Sequence, residues 1–329
     1  MPVRPRVLSK TPTRAASEVD VLADILDTMR LDNLFYGRLE LGAPWAFRMS
    51  AGESFHFYIV ARGTASIEVE GGGPPVPLSA GDVALLLQGA SHTLRDARGS
   101  KSKIVLEAGR CIGAHPGNEA VRRGGNGAQT SVVAGRFQFA GGLGTSLLER
   151  LPPMIHLRSN QAHPEPWLDA TVQLIVAESA RRSPGGTVVL SRLADVLLVH
   201  ALRSQMNSGQ CASEGMPALR DPQIGRALGL MHAKPGKPWT VADLASAVGL
   251  SRSGFAARFG ELVGEPPLQY LARWRMTKAA RQLRETTDTL GTIAQEVGYA
   301  SAPAFNRAFT RWEGTGPGAY RKRRRAPRT

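Results

Sequence analysis

Near its C-terminal end the chain writes one phrase twice, and a recurring phrase builds the same unit each time. "TVADLASAVGLSRSGFAARF" from Thr240 and "TLGTIAQEVGYASAPAFNRAF" from Thr289 align at an offset of 49, which becomes 50 after one inserted residue. In the first copy Leu244, Ala245 and Val248 share a helical face, Gly249 stops that helix, and Ser251 can cap the next. Phe255 and Phe259 are one turn apart and point to the same core. The second copy repeats the pattern with Ile293, Ala294 and Val297, then Gly298, then Phe305 and Phe309. Helix, short glycine turn, helix is the helix-turn-helix arrangement, whose second helix can lie in a major groove.

Between the copies, "PLQYLARWRMTKAARQLRET" from Pro267 places Leu271, Trp274 and Ala279 near helical spacing, with Arg273, Arg275, Lys278 and Arg281 interspersed. One helix joining two heads is the reading. Charge agrees: residues 216–329 hold 19 Lys and Arg against 8 Asp and Glu, whereas residues 1–215 hold 22 against 19. That asymmetry suggests a polyanion-binding module joined to a near-neutral one, with a basic solubilising face as the plainer alternative. With Phe305 and Phe309 inward, the wheel turns Pro303 and Arg307 outward and puts Asn306 on the flank. The same construction exposes Ser253 and Ala257 in the first copy, with Arg252 and Ala256 at the side. Arg307 suits bidentate pairing with guanine, and Asn306 suits adenine or a phosphate. The first head offers hydroxyl and methyl contacts, with Arg252 expected on phosphate and Arg275, on the joining helix, expected to make at most a phosphate contact.

The tandem pair, with "GEPPLQYLARWRM" between the copies and "GPGAYRKRRR" after them, resembles the DNA-binding domain of AraC-type transcription regulators. An amphipathic hairpin in an ordinary bundle would not combine two copies, a basic joining helix and that ending. The resemblance implies double-stranded DNA as partner, RNA polymerase as a further partner of an activator, and the same outward positions as the wheel. One chain with two heads can read a direct, non-palindromic site across successive major-groove segments about 34 Å apart.

Residues from about Leu41 to Gly141 read as β structure: in "FHFYIVARGTASIEVEG" apolar residues alternate at Ala65, Ile67 and Val69. "PLSAGDVALLLQGASHTLRD", "KIVLEAG" and "SVVAGRFQFAGG" continue it, with the Gly-rich "GAHPGNEAVRRGGNGAQ" interrupting. This resembles the cupin-like β-barrel sensor at the N terminus of many AraC-type regulators. Metal-binding cupins supply a His-x-His pair, a Glu and a later His; here His56 stands at the place of the Glu and His92 at the later His. The place of the His-x-His pair, within Met49 to Gly52, has no strong ligand. We therefore expect no metal, no cofactor and no catalytic residues, and read His56 and His92 as lining an effector pocket or hydrogen-bonded within the barrel. Cys111 and Cys211 lack a zinc or disulfide pattern, and His115 lacks a partner at informative spacing.

"PWLDATVQLIVAESARRS" and "LSRLADVLLVHALRSQM" are two amphipathic helices, striped by Leu168, Val172, Ile175 and Val176, and by Leu193, Val196, Leu197 and Leu202. Packing on the barrel and a homodimer interface, which the resemblance implies, both remain open. No apolar run approaches the roughly 20 residues of a membrane span, and the basic opening has no apolar h-region, so a cytoplasmic protein is expected. The expected organisation is α+β and multidomain: a basic disordered tail (1–18), a cupin-like β-barrel sensor (19–150), a helical linker (151–215) and an all-α double helix-turn-helix domain (216–329). The leading functional reading is a sequence-specific DNA-binding transcription regulator controlled by a small-molecule effector. Its rivals are a metal-dependent cupin enzyme carrying a DNA-binding domain and an architectural protein that binds DNA by charge alone.

Overall fold

The structure, a computed structural model, describes residues 19–29, 31–52, 54–87, 89–97, 105–107, 120–139, 146–159, 166–181, 183–207 and 216–325. The expected basic tail, Cys111, His115 and Cys211 lie outside the described residues.

Two sheets face each other. The first runs β11 (Met154–Leu157), β6 (Val83–Leu86), β3 (Phe55–Arg62), β10 (Gln129–Phe139), β1 (Leu31–Gly42), β9 (Val121–Gly124). The second runs β5 (Val76–Ser79), β4 (Thr64–Val69), β7 (His92–Asp96), β2 (Ala46–Met49), β8 (Val105–Glu107). Strand sequence tells which faces are dry. In β4 burial alternates, with Ala65, Ile67 and Val69 inward and Ser66 and Glu68 toward solvent, so the outer face of this sheet is wet. In β3 six consecutive residues, Phe55 to Val60, are buried. Tyr58 and Val60 join Leu39, Trp45, Phe47, Ile67 and Leu94 between the sheets, while Phe55, Phe57 and Ile59 join a different core on the other face. The first sheet is therefore covered on both faces.

That cover is helical: α1 (Val21–Met29), α2 (Ser146–Glu149), α3 (Pro166–Ala180) and α4 (Gly186–Asn207). Leu168, Val172 and Ile175 are buried on α3, and Leu197 and Leu202 on α4, in the same core as Phe57. The packing reading of the two linker helices thus holds for most of both stripes. Val196 departs from it: it is 43% exposed, alongside Leu174 at 56%, Val188 at 61% and Val189 at 46%.

The core does not stop at the linker. It continues through α5 (Pro217–Arg220), α6 (Pro222–Ala233), α7 (Val241–Ala247) and α8 (Arg252–Val263) into the first half of α9 (Pro267–Glu285), taking in Ile224, Leu244, Phe255, Phe259, Tyr270 and Trp274. A separate core begins two residues further along α9, where Met276, Ala279, Ala280 and Leu283 pack with Ile293, Val297, Phe305, Phe309 and Tyr320. Those last residues belong to α10 (Leu290–Glu296), α11 (Ala302–Glu313) and α12 (Pro317–Arg325).

The repeat is longer than the two quoted phrases. Helix α8 ends on left-handed Gly264 and α11 on left-handed Gly314, each followed by a helix that starts with proline, Pro267 or Pro317. Tyr270 then packs edge-on against Phe259 at 5.8 Å, and Tyr320 against Phe309 at 5.4 Å.

The division of cores gives a stability test. Phe309→Ala should cost about 3–5 kcal/mol and open a low-denaturant transition confined to the second head, read by limited proteolysis along a urea series. Phe259→Ala should weaken the first head together with the β-sheet domain. A single shared transition in both variants would contradict the separation of the second head's core from that of the first.

Candidate nucleic-acid interface and sensor site

Each second helix of the repeat is capped at its start and anchored by a phenylalanine pair. Ser251 Oγ accepts from the Gly254 amide at 3.1 Å ahead of α8, and Ser301 Oγ from the Ala304 amide at 3.4 Å ahead of α11. Phe255 and Phe259 are fully buried, as are Phe305 and Phe309. The opposite faces are open: Arg252, Ser253 and Ala257 are exposed and Ala256 half-buried on α8, while Pro303, Asn306, Arg307, Thr310 and Arg311 are exposed on α11. The second face carries more charge than the first. Arg258 on α8 is drawn aside, its Nε donating at 2.8 Å to Asp221, whose carboxylate also accepts from the Gln223 and Ile224 amides and caps α6. Burial raises the Asp221 carboxyl, but bonds from Ile224, Arg258 and Gln223 outweigh it and hold the group below its ordinary value.

The cations of α9 are arranged otherwise than a DNA-facing stripe would be. Arg275, expected among the phosphate contacts, donates from Nε to the Pro235 carbonyl at 2.7 Å and from Nη2 to the Lys237 carbonyl at 2.8 Å. Its guanidinium is half-buried and engaged within the protein. Lys278 reaches Asp24 at 2.6 Å, Arg281 pairs with Asp27 and Glu285, and Arg273 pairs with Glu149 and Glu265. Asp24, Asp27 and Glu149 precede or belong to the β-sheet domain, so this helix docks the N-terminal part onto the heads.

Asp24 also accepts from His232 Nδ1 at 2.8 Å, and His232 Nε2 lies 2.7 Å from the Tyr270 hydroxyl. Burial pushes His232 below its ordinary value despite the Asp24 bond, and burial pushes Tyr270 far above its own. A neutral imidazole with its proton on Nδ1 therefore accepts a hydrogen bond from the Tyr270 hydroxyl at Nε2 and donates one to Asp24 from Nδ1. The ring stacks on Trp274 with centroids 4.0 Å apart. Burial raises the Asp24 carboxyl, yet His232 and Lys278 together hold it below its ordinary value.

Inside the barrel, His56 on β3 and His92 on β7 face each other from opposite sheets, ring centroids 5.4 Å apart. His92 is held at both nitrogens, Nδ1 2.7 Å from the Ala90 carbonyl and Nε2 2.8 Å from the Tyr58 hydroxyl. The carbonyl can only accept, so Nδ1 carries the proton and Nε2 accepts from Tyr58. Burial, with His92 and Arg136 nearby, lowers His56 to about 4, and burial lowers His92. Among the described residues no three His, Cys, Asp or Glu side chains converge as a metal site would require. An open cleft of about 450 Å³ lies elsewhere, lined by Glu40, Arg122, Arg123 and Gln129. The histidine pair is enclosed instead, both rings being buried between the sheets.

Three features escaped the sequence reading: the Asp221–Arg258 brace, the Asp24–His232–Tyr270 chain, and Arg311 beside Arg307. Arg311 was accessible, four residues after Arg307 on the same wheel. Asp24 and His232 are 208 residues apart, beyond any local pattern.

The barrel histidines set a pH dependence. His56 is held below its ordinary 6.5, so on acidification the unfolded chain takes up the proton first; its contribution is complete above 6.5 and is lost as pH falls toward about 4. Between pH 7 and pH 5 this one group should cost about 2 kcal/mol. His56→Gln should flatten urea-unfolding free energy across that interval by that amount; an unchanged pH slope would contradict the burial assigned to His56.

Comparison with known proteins adds the context. Residues 20–207 match the cupin family and residues 244–323 a helix-turn-helix domain family. An AraC-like transcription regulator of Streptomyces lividans is 37% identical over 92% of this chain and 98% of its own length. Another, of Streptomyces antibioticus, is 36% identical over 92% of this chain and 99% of its own. The DNA-binding domain of AdpA, a global transcriptional factor solved with a target DNA, is 31% identical over 32% of this chain and 95% of that one, with a TM-score of 0.31. Two capped reading helices on a basic domain, joined to a cupin barrel, together with relatives that align from end to end, place this chain in the family of AraC-type transcription regulators.

Proposed function

We propose that one chain reads a direct DNA site with two chemically unequal heads, under the control of a small molecule bound in the barrel near His56, His92 and Tyr58. The observation that supports it is the pair of exposed helix faces opposite buried phenylalanines. On α11, Arg307 donates to guanine O6 and N7, Asn306 meets an adenine or a phosphate, and Pro303 fits close to the groove wall. On α8, Ser253, Ala256 and Ala257 permit close approach and methyl contact, with Arg252 on phosphate. Effector binding shifts the barrel, and α1 passes that shift to α9 through Asp24; couplings of this kind are typically about 1–3 kcal/mol. Residues 19–150 act as sensor, 151–215 as linker and 216–329 as reader. Leu174, Val188, Val189 and Val196 on the linker form the face for a homodimer, RNA polymerase is the further partner, and the protein works in the cytoplasm. We read the barrel as a sensor and not an enzyme, since Tyr58 already engages the His92 nitrogen that a catalytic metal would need.

Arg307→Ala should cost about 1–3 kcal/mol on the preferred site and relax selectivity at one base pair. Arg311→Ala should weaken all sequences alike and lower the salt slope by about one. The measurement is competition across a site library at two salt concentrations. Equal weakening of every sequence by Arg307→Ala would make that residue a phosphate clamp and remove it from base reading.

A further inference from the structure

Two glycines bring the heads into contact. Gly236 lies in the loop between α6 and α7, on the first head, and Gly298 in the turn between α10 and α11, on the second. A Cβ on Gly236 would stand 2.7 Å from the Glu296 carbonyl oxygen, and one on Gly298 would stand 2.7 Å from the Gly236 carbonyl oxygen. Both obstacles are backbone atoms, so the main chains touch at a separation only glycine permits. Gly298 also has a φ of 86°, which independently favours glycine. Gly236 is not among the positive-φ glycines, so a side chain there meets the missing space alone.

The loop that carries Gly236 is fixed on both sides of it. Arg275 holds the Pro235 and Lys237 carbonyls at 2.7 and 2.8 Å, and its Nη2 would lie 3.0 Å from a Cβ on Gly298. The Trp239 indole donates to the Lys234 carbonyl at 3.1 Å, closing the loop further. Arg275 sits between Trp274, which belongs to the first core, and Met276, which belongs to the second. The contact and its brace therefore stand where the two heads could pivot.

We propose that the Gly236–Gly298 contact, clamped by Arg275, is the positioning device that sets the separation of the two recognition helices and hence the spacing between the two parts of the DNA site. This rests on the two-headed reading above. Each extra base pair rotates the second groove segment by about 35° around the duplex, so a rigid pair of heads tolerates little change. A side chain at Gly236 would pry the heads apart while leaving Arg307, Ser253 and their helices intact.

The test uses the full chain, its selected two-part site, the same site with one base pair inserted or removed, and a probe holding one part alone. Wild type should lose about tenfold or more when the spacing changes. Gly236→Val should lose about tenfold on the native spacing, discriminate spacings by less than about threefold, and bind the single-part probe within about twofold of wild type. Arg275→Lys, which keeps the charge but not the fork, should shift the same way by less. Gly291→Ala, whose Cβ would meet only Thr289 Oγ1 at 3.7 Å, should match wild type. A folded Gly236→Val chain with the wild-type spacing preference overturns the proposal. Should that variant fail to fold, an unchanged preference in both Gly236→Ala and Arg275→Lys overturns it instead. Wild type indifferent to spacing would remove the two-headed reading itself, and the proposal with it.

Discussion

One helix belongs to two cores. The 19 residues of α9 span about 28 Å, and their buried side chains change allegiance between Trp274 and Met276. N-terminal to that point, the helix-covered face of the first sheet, the linker and the first head share a continuous apolar core, separate from the one between the sheets. Among the described residues the second head's apolar core is built from its own helices and the end of α9, and its backbone meets the first head at Gly236 and Gly298. Helices and sheets bury one stripe or face against a neighbour, and here the neighbour of the first head is the sensor's own helical layer. A change in the barrel therefore meets the first head directly and the second through the joining helix and the Gly236–Gly298 contact.

Electrostatics follows the same division. The heads carry most of the chain's net positive charge, yet the α9 cations Arg273, Lys278 and Arg281 are matched to carboxylates. These cations are half-buried and partly screened by solvent, and pairs near the surface contribute little to stability, typically about 1 kcal/mol or less. Their effect is orientation: they register α1 on α9 and leave the cations of α11 free for solvent and DNA. The enclosed Asp24–His232–Tyr270 chain differs, because breaking it strands donors and acceptors away from water, at about 1–3 kcal/mol for each stranded group. It makes the seat of α1 specific.

Much of this was legible in the sequence, and the exceptions have physical reasons. The offset of 49 to 50, the glycine turns, the serine caps and the outward positions are local properties of helices, and they stand in the structure as read. The continuation of the repeat through Gly264, Pro267 and Tyr270 to Gly314, Pro317 and Tyr320 was also written there, at a constant offset, but its helices carry different surfaces and so conceal the likeness. The alternation in β4 was plain because one face is wet; β3 gave no alternation because both faces are dry. The basic residues of α9 show in the sequence as charge alone; the groups that meet them, carbonyls for Arg275 and carboxylates for Arg273, Lys278 and Arg281, lie elsewhere in the chain. Val196 belongs to the apolar stripe by spacing and to the surface by packing, because the sheet behind α4 covers only part of that stripe.

The account depends on two heads of one chain engaging one face of the duplex together. A hydroxyl-radical footprint of the full-length protein on its selected site measures that most directly. It should show, for each bound chain, two protected segments on the same face, about one helical turn or 10 base pairs apart, with unlike sequences in the two segments. A single protected segment per chain, or two segments related as a palindrome, would contradict it.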